Sequence, residues 1–146
     1  MMGRNVTALS KGLAVTHRYV VLLRGVNIGG RKRVPKAELK SVLEGVGFTE
    51  VEVYINSGNA VGTHTGKPVV AEVQSALEAH FDFEVPTLLL RGDHVQAIAQ
   101  AVPEHWRNDS PNPEKTGYQS NVVYLFDELD SPEVLDTLGY RPEIET

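Results

Sequence analysis

The stretch Tyr19-Val20-Val21-Leu22-Leu23-Arg24-Gly25-Val26-Asn27-Ile28-Gly29-Gly30 runs from a continuous apolar segment into a glycine-rich one. Its first five residues are rich in valine and leucine and show no polar alternation, which predicts a strand buried on both faces. The cations Arg31, Lys32 and Arg33 follow directly. The predicted strand therefore leads into the segment where the positive charge of the chain is concentrated.

The periodicity of the following residues predicts the element order β-α-β-β-α-β. Apolar residues recur at helical spacing after Pro35 and again after Pro68, and proline suits the first position of a helix. A turn is predicted at Asn56-Ser57-Gly58-Asn59. The four strands are predicted at Tyr19–Leu23, Val51–Ile55, Ala60–Thr63 and Val85–Leu90. This order predicts an α+β fold of the ferredoxin-like split βαβ class, with two helices on one face of an antiparallel sheet.

Three regions are expected along the chain: a flexible tail over residues 1–18, a ferredoxin-like unit over 19–91, and residues 92–146 packed on that unit. The last region is predicted to begin with a helix capped by Asp93 and to continue through a long loop from Glu104 to Gln119. A strand at Asn121–Phe126 and a helix from Ser131-Pro132 would then start a second, related β-α unit.

Composition limits the classes of function. With 146 residues, 41% of them hydrophobic, the chain can bury one sizeable core, and no apolar run approaches the length of a membrane helix. The chain has no cysteine, which excludes disulfides and cysteine-type zinc sites and agrees with a cytoplasmic location. The first forty residues carry a net charge of +8 and the remainder −13. This asymmetry suggests a local anion site or a basic docking face.

The leading hypothesis is a site for a small anionic or nucleotide-like ligand at the Arg24–Arg33 loop. Glycines allow close backbone approach, and the N-terminus of the following helix presents free N–H groups to an anion. The end of the first strand should lie near the start of the third, which would bring Arg24 close to Asn59. The candidate ligand-binding residues are Arg24, Gly25, Asn27, Gly29, Gly30, Ser57, Gly58 and Asn59. A P-loop is excluded because Arg31-Lys32 stands where that motif has Lys followed by Ser or Thr.

Three other interpretations remain open. The glycines can simply form a tight exit from the strand while the cations stay solvated. A nucleic-acid-binding module would use phosphate contacts from Arg31, Lys32, Arg33 and Lys36, although the first strand offers only Tyr19 as an aromatic for base stacking. A protein-interaction module would let the basic segment meet the acidic stretch Asp127–Glu145 of another copy, as a homo-oligomer.

No acid, base or nucleophile in the sequence has the spacing of a catalytic site. The sequence therefore leaves open whether the chain is an enzyme. Ser57 lacks the G-x-S-x-G context of a hydrolase nucleophile. The five histidines show no metal-binding spacing, and the glycine pattern misses the dinucleotide fingerprint. We therefore assign no metal and no cofactor.

Two motifs together resemble a known family. The segments L-L-R-G-V-N-I-G-G at 22–30 and Y-I-N-S-G-N at 54–59, with Pro35 and Gly47-Phe48 between them, resemble the bacterial domain-of-unknown-function family 1697 over about residues 19–126. The resemblance implies a ferredoxin-like α+β fold with a second, related half. It implies no activity, because none is established for that family. Relatives continue past the equivalent of Thr146, so we expect the end of the second half to lie beyond this chain.

Overall fold

A computed structural model of the chain describes residues 14–54, 58–104 and 122–137. The chain divides into two compact units, with the boundary between Gln100 and Ala101. The first contains a sheet and its helices, in the order β1 (Thr16–Leu23), α1 (Lys36–Gly45), β2 (Phe48–Tyr54), β3 (Asn59–Thr65), α2 (Val70–Phe81), β4 (Thr87–Arg91) and α3 (Gly92–Ala101). The described part of the second unit contains a 3-10 turn (Asp127–Leu129) and α4 (Val134–Thr137). None of the helices in the described ranges is long and apolar enough to cross a membrane.

The four strands form one antiparallel sheet in the order β2-β3-β1-β4. Val21 of β1 lies opposite Ala60 of β3 on one side and Leu89 of β4 on the other. The prediction of an α+β fold with an antiparallel sheet is therefore confirmed. β1 begins at Thr16, which pairs with Thr65, so three residues of the predicted N-terminal tail belong to the sheet.

Burial along β1 alternates, which corrects the expectation of a strand buried on both faces. Tyr19, Val21 and Leu23 are buried, whereas the intervening Val20 and Leu22 are only half-buried. The buried side chains form a core with residues of α1 and α2, namely Leu39, Leu43, Val73 and Leu77. The alternation arises because the helices pack on the face of β1 that carries Val21. The residues of this strand are apolar on both faces, so the sequence does not indicate which face is buried.

A β-bulge explains why β2 starts earlier than predicted. The pairing of β2 with β3 shifts between Thr49 and Glu52, and Glu50 adopts a positive φ of 50°. Phe48 and Val51 consequently both point into the core although they are three residues apart. The alternating pattern was therefore recognisable only after the bulge.

The exit of β1 and the turn before β3 pack directly on each other. The Leu23 N–H donates to the Gly58 carbonyl at 3.2 Å. Gly58 has a φ of +75°, and a Cβ at this position would lie 2.5 Å from Cγ2 of Val26, which is itself 5% exposed. The glycine is therefore required both by the backbone conformation and by the close approach of Val26.

One prediction for the C-terminal region is wrong. Residues 122–126 form no strand, because an apolar run becomes a strand only where another strand pairs with it. The helix predicted from Ser131-Pro132 is present but begins later, at Val134, and α4 spans Val134–Thr137 within the described residues. In the first unit, α3 begins at Gly92, so Asp93 lies inside the helix and its carboxylate accepts from the His94 N–H at 2.8 Å. Most of the predicted 104–119 loop lies outside the described residues.

The approach of Val26 to Gly58 predicts unequal costs for two glycine substitutions. Gly25 and Gly58 have similar φ values of +71° and +75°, but a Cβ at Gly25 would meet nothing within 4 Å. We expect Gly25→Ala to lower the free energy of unfolding by about 1 kcal/mol, from backbone strain alone. Gly58→Ala should cost about 2–4 kcal/mol, because steric overlap is added to that strain. Urea unfolding measures both, and equal losses would contradict the packing.

Candidate functional site

The basic loop after β1 is a small closed hairpin. The Asn27 N–H donates to the Lys32 carbonyl at 2.9 Å, and the Arg31 N–H donates to the Ile28 carbonyl at 3.0 Å. The two residues at its tip, Gly29 and Gly30, have φ values of +58° and +74°. Two consecutive positive φ angles define a type I′ turn, which is why glycines stand at both positions.

Asn27 closes the base of this hairpin through its side chain. Its Nδ2 donates to the Val34 carbonyl at 3.2 Å, and its Oδ1 accepts from the Val34 N–H at 2.8 Å. Asn27 also adopts a positive φ of 56°, which asparagine tolerates better than most residues. The Asn27 amide thus bonds to both the N–H and the carbonyl of Val34 and holds the loop in one conformation.

The cations of the segment have exposed side chains. Within residues 14–54, 58–104 and 122–137, no carboxylate forms an ion pair with Arg24, Arg31, Lys32, Arg33 or Lys36. The Lys32 ammonium lies 5.8 Å from the centroid of the Phe83 ring, within the range of a cation–π contact. The carboxylates of the described residues therefore leave the positive charge of the loop unneutralised.

A cavity of about 260 Å³ lies between this hairpin and the N-terminus of α1. It is lined by Asn27, Gly30, Arg33, Val34, Pro35 and Lys36. Pro35 occupies the N-cap position of α1 and provides no side-chain cap, so first-turn N–H groups remain without an intrahelical acceptor. The Glu38 carboxylate of this turn lies 2.9 Å from Nε2 of His80.

The predicted ligand-binding residues fall into two groups in the structure. Asn27 and Gly30 line the cavity, together with Arg33 and Lys36, which the sequence predicts as phosphate contacts of a nucleic-acid-binding module. Gly58 and Asn59 instead lie beside the end of β1, where Asn59 pairs with Leu22. The Arg24 side chain is exposed, and its backbone N–H donates to the Pro86 carbonyl at 3.0 Å. Ser57 lies outside the described residues.

Sequence reasoning missed Val34 and Pro35 as cavity residues. The available signal was Pro35 itself, because a proline at a helix start leaves the N-cap without a side-chain acceptor. The contribution of Val34 depends on its hydrogen bonds to Asn27, a contact seven residues apart that no sequence period suggests. In the part of the chain that the structure describes, no three His, Asp or Glu side chains gather as metal ligands would.

Comparison with known proteins gives a family and a structural relative. The model of the family described as "Protein of unknown function (DUF1697)" matches residues 16–146. The solved structure of conserved bacterial protein SP0830 from Streptococcus pneumoniae is 34% identical, with a TM-score of 0.52. That match covers 65% of this chain but only 54% of the other chain. No curated protein matches the chain.

The double hydrogen bond of Asn27 predicts a graded response to substitution. Asn27→Gly keeps the positive φ but removes both bonds, so exchange protection of the Val34 amide should be lost. Asn27→Asp keeps the acceptor for the Val34 N–H, so protection should persist. Hydrogen exchange of Val34 followed by NMR measures both. Retained protection in Asn27→Gly would show that the side chain does not close the loop.

Proposed function

The chain belongs to the DUF1697 family of proteins of unknown function, and we propose that it binds a small anionic or nucleotide-like ligand at the Arg24–Arg33 loop. The observation that carries this proposal is the cavity in which Arg33 and Lys36 meet the uncapped N-terminus of α1. Unpaired helix N–H groups and the helix dipole favour an anion at this position. The cations add charge that no described carboxylate neutralises.

The shape of the loop supports binding without a large ordering cost. The Asn27 bonds to Val34 and the Gly29-Gly30 turn hold the hairpin in one conformation before any ligand arrives. A preorganised site loses less conformational entropy on binding than a disordered one. Within this proposal Asn27, Gly29 and Gly30 shape the site, and Arg33 and Lys36 contact the anion.

The size of the cavity favours a phosphate-like group as the bound part. Its volume of about 260 Å³ lies below the range of about 300–1,000 Å³ typical of sites for drug-sized ligands. Lys36 also lines a neighbouring groove of about 560 Å³, together with Lys40 and Tyr54. Tyr54 is 60% exposed and offers a stacking surface for a base. A nucleotide would therefore place its phosphate in the cavity and its base against Tyr54.

We also assign the first unit to the ferredoxin-like class. This assignment is supported by the element order β-α-β-β-α-β and by the sheet order β2-β3-β1-β4. α1 and α2 both contribute to the core on the face of β1 that carries Val21. Residues 19–91 form the ligand-binding unit in this proposal, and the region 92–146 adds α3 and the second unit.

Calorimetric titration with inorganic phosphate and with AMP tests the proposed site. Arg33→Ala and Lys36→Ala should each weaken phosphate binding about tenfold, as expected for the loss of one charge-assisted hydrogen bond. Lys40→Ala is the matched control for the phosphate titration, because Lys40 lies one helical turn further along, outside the smaller cavity, and already pairs with Glu44 at 3.8 Å. Tyr54→Ala should weaken AMP binding but leave phosphate binding unchanged.

A double variant, Arg24→Ala with Asn59→Ala, separates the two ends of the loop. Binding lost in this variant but kept in Arg33→Ala would place the ligand at the β1 exit, as the sequence hypothesis had it. Unchanged affinity in all of these variants would refute the proposal.

Nucleic-acid binding is the second candidate, favoured by Arg31, Lys32, Arg33 and Lys36, which are exposed and form no ion pair with a carboxylate of the described residues. If these four cations contact phosphates of duplex DNA, the logarithm of the binding constant should fall with log salt with a slope of about −3.6, from −0.9 per contact. Fluorescence anisotropy with a labelled 20-base-pair duplex measures this slope. Absence of binding at low salt would remove this candidate while leaving phosphate binding untouched.

A further inference from the structure

A second cavity, of about 680 Å³, lies at the opposite end of β1 from the basic loop. β1 has eight residues, so the two ends are about 25 Å apart at about 3.3 Å per residue. The lining residues come from the start of β1, the end of β3, the start of α2 and the end of β4, and include Val15, His17, Tyr19, Lys67, Leu89 and Arg91. This volume is typical of a small-molecule site.

The wall of this cavity is largely apolar and partly fixed in position. Tyr19 and Leu89 contribute from the sheet, and Pro68 and Val70 contribute from the start of α2. The Tyr19 hydroxyl donates to the Gly66 carbonyl at 3.3 Å, and its ring packs edge-on against Phe48 at 6.4 Å between centroids. Val70 remains 40% exposed. An apolar ligand would therefore cover hydrophobic surface that now faces water.

The two charged side chains that line this cavity, Lys67 and Arg91, are both cationic. His17 also lines the cavity, and none of the lining residues is Asp or Glu. Lys67 forms no ion pair with a carboxylate of the described residues. Arg91 is already paired with Asp93, a residue outside the cavity lining, whose Oδ1 accepts from Nε of Arg91 at 3.1 Å. Lys67 is thus the cation available to an incoming anion.

We infer that this cavity binds an amphipathic monoanion, a carboxylate or sulfonate joined to a hydrocarbon body. The anionic head pairs with Lys67, and the body packs against Tyr19, Leu89 and Val70. Charge complementarity selects this occupant, because an apolar wall combined with unneutralised positive charge fits neither a neutral lipid nor a cation. The inference is independent of the proposed phosphate site at the basic loop.

Calorimetric titration with decanoate, decan-1-ol and acetate tests the ligand class. Decanoate has both a negative charge and a hydrocarbon chain, decan-1-ol has only the chain, and acetate has only the charge. Decanoate should bind at least about tenfold more tightly than decan-1-ol, because only decanoate carries the charge. Acetate should show no binding, because it lacks the body. Equal binding of decanoate and decan-1-ol would overturn the charge assignment, and absence of decanoate binding would overturn the site.

Matched variants test the location. Lys67→Met keeps most of the aliphatic stem and removes the charge, so decanoate affinity should fall to that of decan-1-ol. Lys40→Met is the control and should leave decanoate binding unchanged. Asp93→Asn should tighten decanoate binding, because it releases Arg91 while keeping an oxygen acceptor for the His94 N–H. An unchanged affinity in Lys67→Met would refute the proposal even if decanoate binds elsewhere.

Chemical shifts place the ligand directly and separate this inference from the proposed function. Decanoate should perturb the amides of Gly66, Lys67 and Val70 and leave those of Gly30 and Arg33 unchanged. Arg33→Ala should reduce phosphate binding without altering decanoate binding. Decanoate shifts confined to the basic loop would assign the ligand to the other site and overturn this inference.

Discussion

The hydrogen bond from the Leu23 N–H to the Gly58 carbonyl joins the two parts of the chain on which the loop geometry depends. Val26 packs onto Gly58 immediately beyond this bond, where a side chain would not fit. The direction in which the chain leaves β1 is therefore set by the turn before β3. Asn27 follows at once and holds the base of the hairpin. The position of the α1 N-terminus relative to β1 thus depends on a contact between segments more than thirty residues apart in sequence.

Much of the first unit was predictable because its signals are local. Pro35 marked the start of α1, and helical spacing identified Leu39 and Leu43 as core residues, which are 0% and 1% exposed. The bulge at Glu50 was not predictable, because its cause is the pairing of β2 with β3 rather than any preference of Glu50 itself. The apolar run at 122–126 illustrates the same limit. It has strand-like composition but no strand structure, because strand formation depends on a partner.

The sequence indicates which residues belong to the basic loop, but it does not indicate which of them lie next to one another in the folded protein. The cations and glycines of the loop were recognised as one basic segment, yet Gly29 and Gly30 are explained by a type I′ turn without any ligand. Arg24 and Asn59 were expected to face one ligand, whereas the cavity lies at the other end of the loop, around Arg33 and Lys36. The difference arises because the hairpin folds back through Asn27 and Val34. Such a fold-back changes which cations are neighbours without changing their order in the sequence.

The bulge in β2 also affects how the sheet meets other molecules. β2 is one edge of the sheet, and a regular edge strand offers unpaired backbone groups to which a strand of another molecule can add. The irregular backbone at Glu50 interrupts that row, and the Arg18 guanidinium forms ion pairs with Glu50 and Glu52 at 3.8 and 3.5 Å. The β2 edge is thus a poor template for strand addition, which disfavours edge-to-edge aggregation along this strand.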